Sequence, residues 1–336
     1  MKLKIYCRVV ILLLLAISLA ACSGGISPIK GDKTDLNVVA NVSDIPVYLE
    51  EVEYLAHNYK LDIEKKYGEG IWDSAESSEE YRAELEQNIL SGMLECASFV
   101  SLCEKYGVDI DDKDTEKYVK EFINTFAGEL GGKEEYIKQL EENGLTDHHL
   151  RYLMAIDASK EELRIALCRE GVIDDSDETA RAFIESDQFI RTLHIYIQND
   201  EGEDVSENRK KAEKALAELE GGEKLTRLIG RYGEYDGMTT TDGYYFMRGE
   251  YEKVYEDASF ALAENEYSGI VEGETGFYII ARLPKEAEYI EKNFESLKDR
   301  YLYEKFEELI AAEAEKAELV FTDYGKTVDI TFLGRS

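Results

Sequence analysis

The sequence predicts an α+β protein: a mostly helical domain assembled from both ends of the chain, with a smaller α+β unit inserted between them. Three observations carry this. Helical periodicity dominates residues 47–186 and returns over residues 286–318, while strand-like alternation gathers between residues 189 and 283. The composition, 44% hydrophobic and 11% aromatic over 336 residues, is enough to fill the cores of two ordinary domains. The expected organisation is a leader over 1–21, a flexible tether over 22–36, a helical domain over 37–188, the α+β unit over 189–284, and a C-terminal helix and strand over 285–336 that pack on the helical domain.

The leader starts with Lys2, Lys4 and Arg8, runs almost without a polar atom from Val9 to Ala21, and closes on Leu19-Ala20-Ala21-Cys22. A basic start, a short apolar core and small residues before a cut site mark a secretory signal. The apolar run is too short for the roughly 20 residues that span a bilayer as a helix. A cysteine directly after the small residues adds lipobox chemistry, in which the Cys22 thiol takes a diacylglyceryl group and becomes the mature N-terminus. Two acyl chains hold where one would leak, because each buried methylene contributes about 0.8 kcal/mol. An ordinary cleaved leader or an uncleaved anchor are the alternatives. Residues 23–35 are rich in Gly, Ser and Lys and read as a tether.

Asn37 to Pro46 alternates like a short strand, and helical spacing begins with Val52, Leu55, Ala56 and Tyr59. Helices are then expected over 79–105, 114–130, 133–143 and 146–169, broken at Gly131-Gly132 and Asn143-Gly144, with Thr146 as an N-cap. A short helix over 176–186 has Ser176 or Asp177 at its cap. Phe189 to Gln198 alternates, with Ile190, Thr192, His194 and Tyr196 on one face and Arg191, Leu193, Ile195 and Ile197 on the other. An amphipathic helix over 206–220 ends at Gly221-Gly222, further helix covers 224–232 and 251–262, and Phe277 to Leu283 is a strand. Pro284 closes the unit. A long helix from Glu286 to Glu318 carries Ile290, Phe294, Leu297, Tyr301, Phe306, Leu309 and Ile310 on its apolar side. The alternating tail Val328–Leu333 is expected to pair with the Asn37–Pro46 strand, the alternative being an independent C-terminal hairpin.

Charge and cysteine content narrow the functional classes. With 72 acidic against 39 basic side chains the formal charge is −33, and loss of the leader deepens it. Such a surface repels phosphate backbones and anionic lipid, so nucleic-acid binding is not expected. It favours solubility and attraction to basic or unfolded cationic polypeptides. Of the five cysteines, Cys7 leaves with the leader and Cys22 is the lipid site. Cys96, Cys103 and Cys168 have no framework or zinc spacing and read as small buried hydrophobes. His148 and His149 are read as surface residues. No metal site and no cofactor are expected.

The segment from Ile190 to Leu283 resembles the parvulin-type peptidyl-prolyl isomerase domain. Thr192-Leu193-His194-Ile195 is similar to the family's opening strand with its active-site histidine. Asp242-Gly243-Tyr244-Tyr245-Phe246 followed by Arg248-Gly249 resembles its glycine-rich strand and turn. Residues 256–262 (EDASFAL) resemble "F-E-x-A-A-F-x-L", and Tyr267 to Val271 with Gly276 to Ile280 resembles "S-x-x-V … G-Y-H-I-I". The whole layout resembles extracytoplasmic foldases of the PrsA and SurA type, in which helical segments before and after a parvulin unit make a chaperone domain. Residues 41–53 are similar to the opening of their N-terminal domain, with Ser43-Asp44 where a glycine-bearing turn is common.

The resemblance implies an isomerase site. Rotation about a peptide bond faces a barrier of about 18–20 kcal/mol, and the two X-Pro isomers lie close in energy, so a catalyst matters for rate. Such a site cups the proline ring and weakens amide resonance without covalent chemistry. The family's first histidine is His194; its second falls at Tyr278, which has a ring and a hydroxyl but no imidazole. The Cys/Asp position falls at Tyr235 or, with a one-residue shift, Asp236. The cup's Met falls at Tyr251 and its Phe at Tyr255, with Phe246 and Phe260 as further cup residues. The implied partners are unfolded or nascent secreted polypeptides with proline-containing segments, met at the outer face of a cell membrane of Gram-positive type. Three functions stay open: a membrane-tethered foldase, a holdase chaperone with a degenerate parvulin module, and a ligand-binding surface lipoprotein.

Overall fold

The computed structural model describes residues 37–73, 75–199, 205–234 and 243–334. The leader, Cys22 and the tether lie outside the described residues, as do Tyr235 and Asp236. The fold is mostly helical with small sheets and divides into two compact units, one made of residues up to Ile173 together with Glu304 onward, the other of Asp174–Tyr303.

The first unit opens with β1 (Val38–Val42) and β2 (Ile45–Tyr48), an antiparallel hairpin. Its turn places Ser43 at φ 52°, a left-handed conformation usually left to glycine or asparagine. Helices α1 (Leu49–Tyr67), α2 (Ala75–Tyr106), α3 (Lys113–Glu129), α4 (Lys133–Glu142) and α5 (Asp147–Arg169) follow. Local chemistry sets their starts. The Asp112 carboxylate accepts from the Asp114 and Thr115 amides ahead of α3, and the Thr146 hydroxyl from the His149 amide ahead of α5. Tyr54, Ile123, Phe126, Tyr136, Leu140, Leu150 and Leu153 form one core cluster of this unit. Gly92 lets α2 approach α1, since an added Cβ would meet Leu55 Cδ2 at 2.7 Å.

The C-terminal segment completes this unit, though not where alternation placed its strand. The strand that pairs with β1 is β7 (Leu319–Phe321), giving the order β2-β1-β7. Val328–Leu333 is instead turned: residues 325–327 and 330–332 are short 3-10 helices, the second started by the Asp329 carboxylate accepting from the Thr331 amide. Gly325 seats against β1 so closely that a Cβ would meet Val39 O at 1.8 Å. Lys60 Nζ then donates to Leu333 O at 2.6 Å, and the Arg82 guanidinium lies 3.8 Å from the centroid of the Phe332 ring.

A buried polar cluster lies where α1, α2 and α5 meet. Glu51 is buried, its Oε1 has no hydrogen-bond partner, and desolvation pushes its carboxyl up to about 8. The Cys96 thiol sits between Glu51 and the Tyr152 hydroxyl (Sγ to oxygen 3.8 Å). His149 corrects the surface expectation: it is 1% exposed, packed against Tyr54 and Tyr152, and burial pushes its imidazole down to about 4. Only His148 reaches solvent, where its Nδ1 pairs with Glu50 at 2.5 Å. Adjacent helical positions point about 100° apart. One of the two histidines therefore faces the core.

The second unit holds α6 (Asp177–Glu185), β3 (Ile190–Gln198), α7 (Val205–Glu220), α8 (Leu225–Tyr232), β4 (Tyr244–Phe246), α9 (Lys253–Ala261), β5 (Val271–Glu272) and β6 (Gly276–Leu283). The helix α10 (Ala287–Ala314) begins in this unit and ends in the first, where Phe306 meets Phe99 edge to face. The sheet is antiparallel in the order β4-β3-β6-β5. Both faces of β3 are covered, as its alternation divides them. Ile195, Ile197, Phe277 and Ile279 pack with Ala212, Ala215 and Leu228 of α7 and α8. Ile190, Phe246 and Ile280 pack with Tyr255 of α9 on the opposite face.

Candidate functional site

Register brings the site together. In the β3–β6 ladder His194 pairs with Ile280 and Tyr196 with Tyr278, so these side chains share the α9 face. The diagonal neighbour of His194 on that face is Tyr278. From α9, Tyr255 points into the same space, and β4 adds Tyr244 beside it.

The result is an aromatic cage around one imidazole. Tyr244 stacks on His194 with centroids 5.2 Å apart and planes 8° from parallel. Tyr255 and Tyr278 meet the same ring edge to face at 5.3 and 5.5 Å. The Tyr255 hydroxyl bridges His194 Nδ1 at 2.9 Å and Thr192 Oγ1 at 2.8 Å. Burial pushes the His194 imidazole down to about 4, so it is neutral at pH 7. Which of the two groups carries the bridging proton follows from the tautomer.

Tyr278 has a different hydrogen-bond partner from its cage neighbour. Burial raises its phenol well above the usual range, and the hydrogen bond it makes to Glu252 raises it further. Its hydroxyl lies beside Glu252, and its contact with His194 is through the rings. Glu252 also takes the Glu274 amide on Oε2 at 2.9 Å. Gly273 makes this wall possible: a Cβ there would lie 2.4 Å from Glu252 Oε1 and 2.6 Å from Tyr278 Cε2.

The four cup residues read from the sequence separate into floor and rim. Phe246 and Tyr255 are 0% and 1% exposed and form the floor. Tyr251 is 39% exposed, and Phe260 is half-buried under the Arg248 guanidinium, 4.5 Å from its centroid. Tyr251 contacts Tyr244, Phe246 and Tyr255, and its amide is held by Glu256 Oε1 at 2.9 Å. His194, Tyr278, Phe246, Tyr251, Tyr255 and Phe260 therefore form one connected set; Tyr235 and Asp236 lie outside the described residues.

Sequence reasoning missed Tyr244, Thr192, Glu252 and Gly273 as parts of the site. Thr192 was on the right face by alternation. Tyr244 follows Gly243, whose φ of 76° turns the chain into β4, yet nothing in the spacing showed that it would cover His194. Glu252 carried no signal, because an acid beside Tyr251 in so acidic a chain is unremarkable by composition. Nothing in the described residues groups three or more side chains as a metal site. The arrangement presents packed aromatic faces, with the Tyr251 ring at the exposed edge.

Comparison with known proteins places these units. Residues 2–163 match the family model of a SurA-like N-terminal domain, and residues 183–285 match that of a PPIC-type PPIase domain. The chain is 28% identical over 194 residues to the foldase protein PrsA of Staphylococcus aureus (strain bovine RF122 / ET3-1), an alignment covering 55% of this chain and 58% of that one. It thus spans less than two thirds of the curated relatives it matches. Among solved structures, NmPin, the parvulin of Nitrosopumilus maritimus, is 27% identical and matches over 29% of this chain and 97% of its own, with a TM-score of 0.24. PrsA from Bacillus anthracis is 19% identical over 65% of this chain and 94% of its own, with a TM-score of 0.33. These whole-chain superpositions are loose, and the domain assignment rests on the two family models.

Proposed function

From a chain that joins a SurA-like N-terminal domain to a PPIC-type peptidyl-prolyl isomerase domain, and so belongs with the PrsA/SurA-like parvulin proteins, we propose an extracytoplasmic folding factor. It acts as a peptidyl-prolyl cis-trans isomerase and chaperone on unfolded secreted polypeptides. A diacylglyceryl group on Cys22 holds it at the outer face of a Gram-positive type of membrane. No helix of the described residues is long and apolar enough to cross a membrane.

The observation that carries the reading is the aromatic set around His194, with Tyr251 and Phe260 at its rim. Aromatic faces suit a proline ring, which is apolar and carries no amide hydrogen. A dry wall of this kind also disfavours the charge-separated resonance form of the amide, and rotation speeds up as that form is lost. The test is refolding of a client limited by prolyl isomerisation, with aggregation followed in parallel. Faster refolding with less aggregation supports the foldase; neither effect on any unfolded client would point to a ligand-binding lipoprotein.

One observation favours a second reading, a holdase whose parvulin unit binds without catalysis. His194 Nδ1 is taken by Tyr255 and the Tyr278 hydroxyl by Glu252, so neither is aimed at a bound amide. Suppressed aggregation with an unchanged refolding rate would select this reading.

A further inference from the structure

The rim of the aromatic set is electrostatically one-sided. On α9 and the β4–α9 turn, Arg248 and Lys253 are both tied to Asp257, and Glu250 is tied to Arg300. Across the sheet edge Glu272 pairs with Arg209. The basic side chains at this rim are therefore already matched by carboxylates. Glu252 is not: it accepts the Glu274 amide and lies beside the Tyr278 phenol, and no Lys or Arg among the described residues lies within ion-pair distance. It is half-buried, so a charge brought to it would be only partly screened by water. The Glu274 amide orients the carboxylate, and Gly273, having no Cβ, leaves room for it beside the Tyr278 ring.

We infer that Glu252 is a specificity-determining residue that selects prolyl segments carrying a lysine or arginine next to the proline. The inference rests on the prolyl-binding role proposed above and deepens it. A proline seated on Tyr251 and Phe260 places its neighbouring residue within a side chain's length of the Glu252 wall. A cation there gains an unmatched carboxylate and the faces of Tyr251 and Tyr278. An acidic neighbour meets the same carboxylate and is rejected.

The test is binding of fluorescent proline-containing peptides, differing only in Lys, Ala or Glu before the proline, to the whole mature chain. The expected order is Lys, then Ala, then Glu, with Lys about threefold to fivefold tighter than Ala, as for a partly screened pair, and the gap closing at high salt. Glu252→Gln is expected to remove the order, while Glu252→Asp retains it. Glu129→Gln, which removes the same charge from an exposed site in the helical unit, is expected to leave it intact. Equal binding of the three peptides, or an order that survives Glu252→Gln or falls equally with Glu129→Gln, overturns the inference while leaving prolyl binding in place. Failure of all three peptides to bind overturns the prolyl-binding reading, and this inference with it.

Discussion

His194 and Tyr255 are joined by a 2.9 Å hydrogen bond between the imidazole Nδ1 and the phenolic hydroxyl, and both side chains are buried. The same hydroxyl bonds Thr192 Oγ1, so one oxygen organises two polar side chains of β3. A tyrosine thus lies beneath the aromatic set and orients its histidine.

Tyr255→Phe isolates that hydroxyl. It keeps the ring and leaves His194 Nδ1 and Thr192 Oγ1 short of a buried partner, a loss of about 1–3 kcal/mol. Urea unfolding is expected to show that loss, and the His194 ring resonances should broaden. Unchanged stability would mean that the hydroxyl has no organising role.

Gly273→Ala tests the wall behind Tyr278. The added methyl meets both the Glu252 carboxylate and the Tyr278 ring below van der Waals distance, so the two are pushed apart from their present contact. With its acceptor displaced, the Tyr278 phenol is expected to ionise at lower pH than in the parent chain, since one of the causes holding it up is gone. Ultraviolet titration of phenolate, with Tyr278→Phe to assign the signal, reads this directly.

The buried acid of the helical unit predicts a stability profile. Glu51 ionises near 4.5 when unfolded and at about 8 when folded, so its contribution is fully present below pH 4.5 and is lost as pH rises toward 8. His149 acts oppositely: held down to about 4, it costs stability as pH falls from 6.5 toward 4. Between 4.5 and 6.5 the two slopes oppose each other, and above 6.5 Glu51 acts alone. Glu51→Gln is therefore expected to flatten the decline between pH 6.5 and 8, a difference on the order of a few kcal/mol. An identical slope in parent and variant would place the titration elsewhere.

Cys22→Ser tests the anchor. Without the thiol no diacylglyceryl group can attach, so labelled palmitate should fail to enter the chain, which should leave the membrane fraction. Retention of label would put the lipid on another residue.

Much of this was legible because periodicity reports burial. The alternation of residues 190–197 assigned the two faces of β3, and helix starts at Thr146 and Ser176 followed from side chains able to take the first free amides. What failed depended on tertiary partners. Val328–Leu333 alternates well, but Gly325 and Asp329 favour tight turns, and the shorter Leu319–Phe321 segment is the one that reaches β1. His149 looked polar and exposed, yet α5 turns it onto Tyr54. Of the site, the resemblance pointed to His194, Tyr278, Phe246, Tyr251, Tyr255 and Phe260, and the structure brings these into one aromatic set. The resemblance could not show that Tyr278 and Glu252 lie side by side, because that approach depends on a missing Cβ at Gly273.

The most direct measurement is two-dimensional exchange NMR on a proline-containing tetrapeptide mixed with a small fraction of the mature chain. Cross-peaks between the cis and trans signals are the expected result, appearing on a timescale far shorter than the tens of seconds of the uncatalysed bond and lost with His194→Ala. A peptide that binds, with its signals shifted, but shows no cis–trans exchange would contradict the isomerase and leave a binding module.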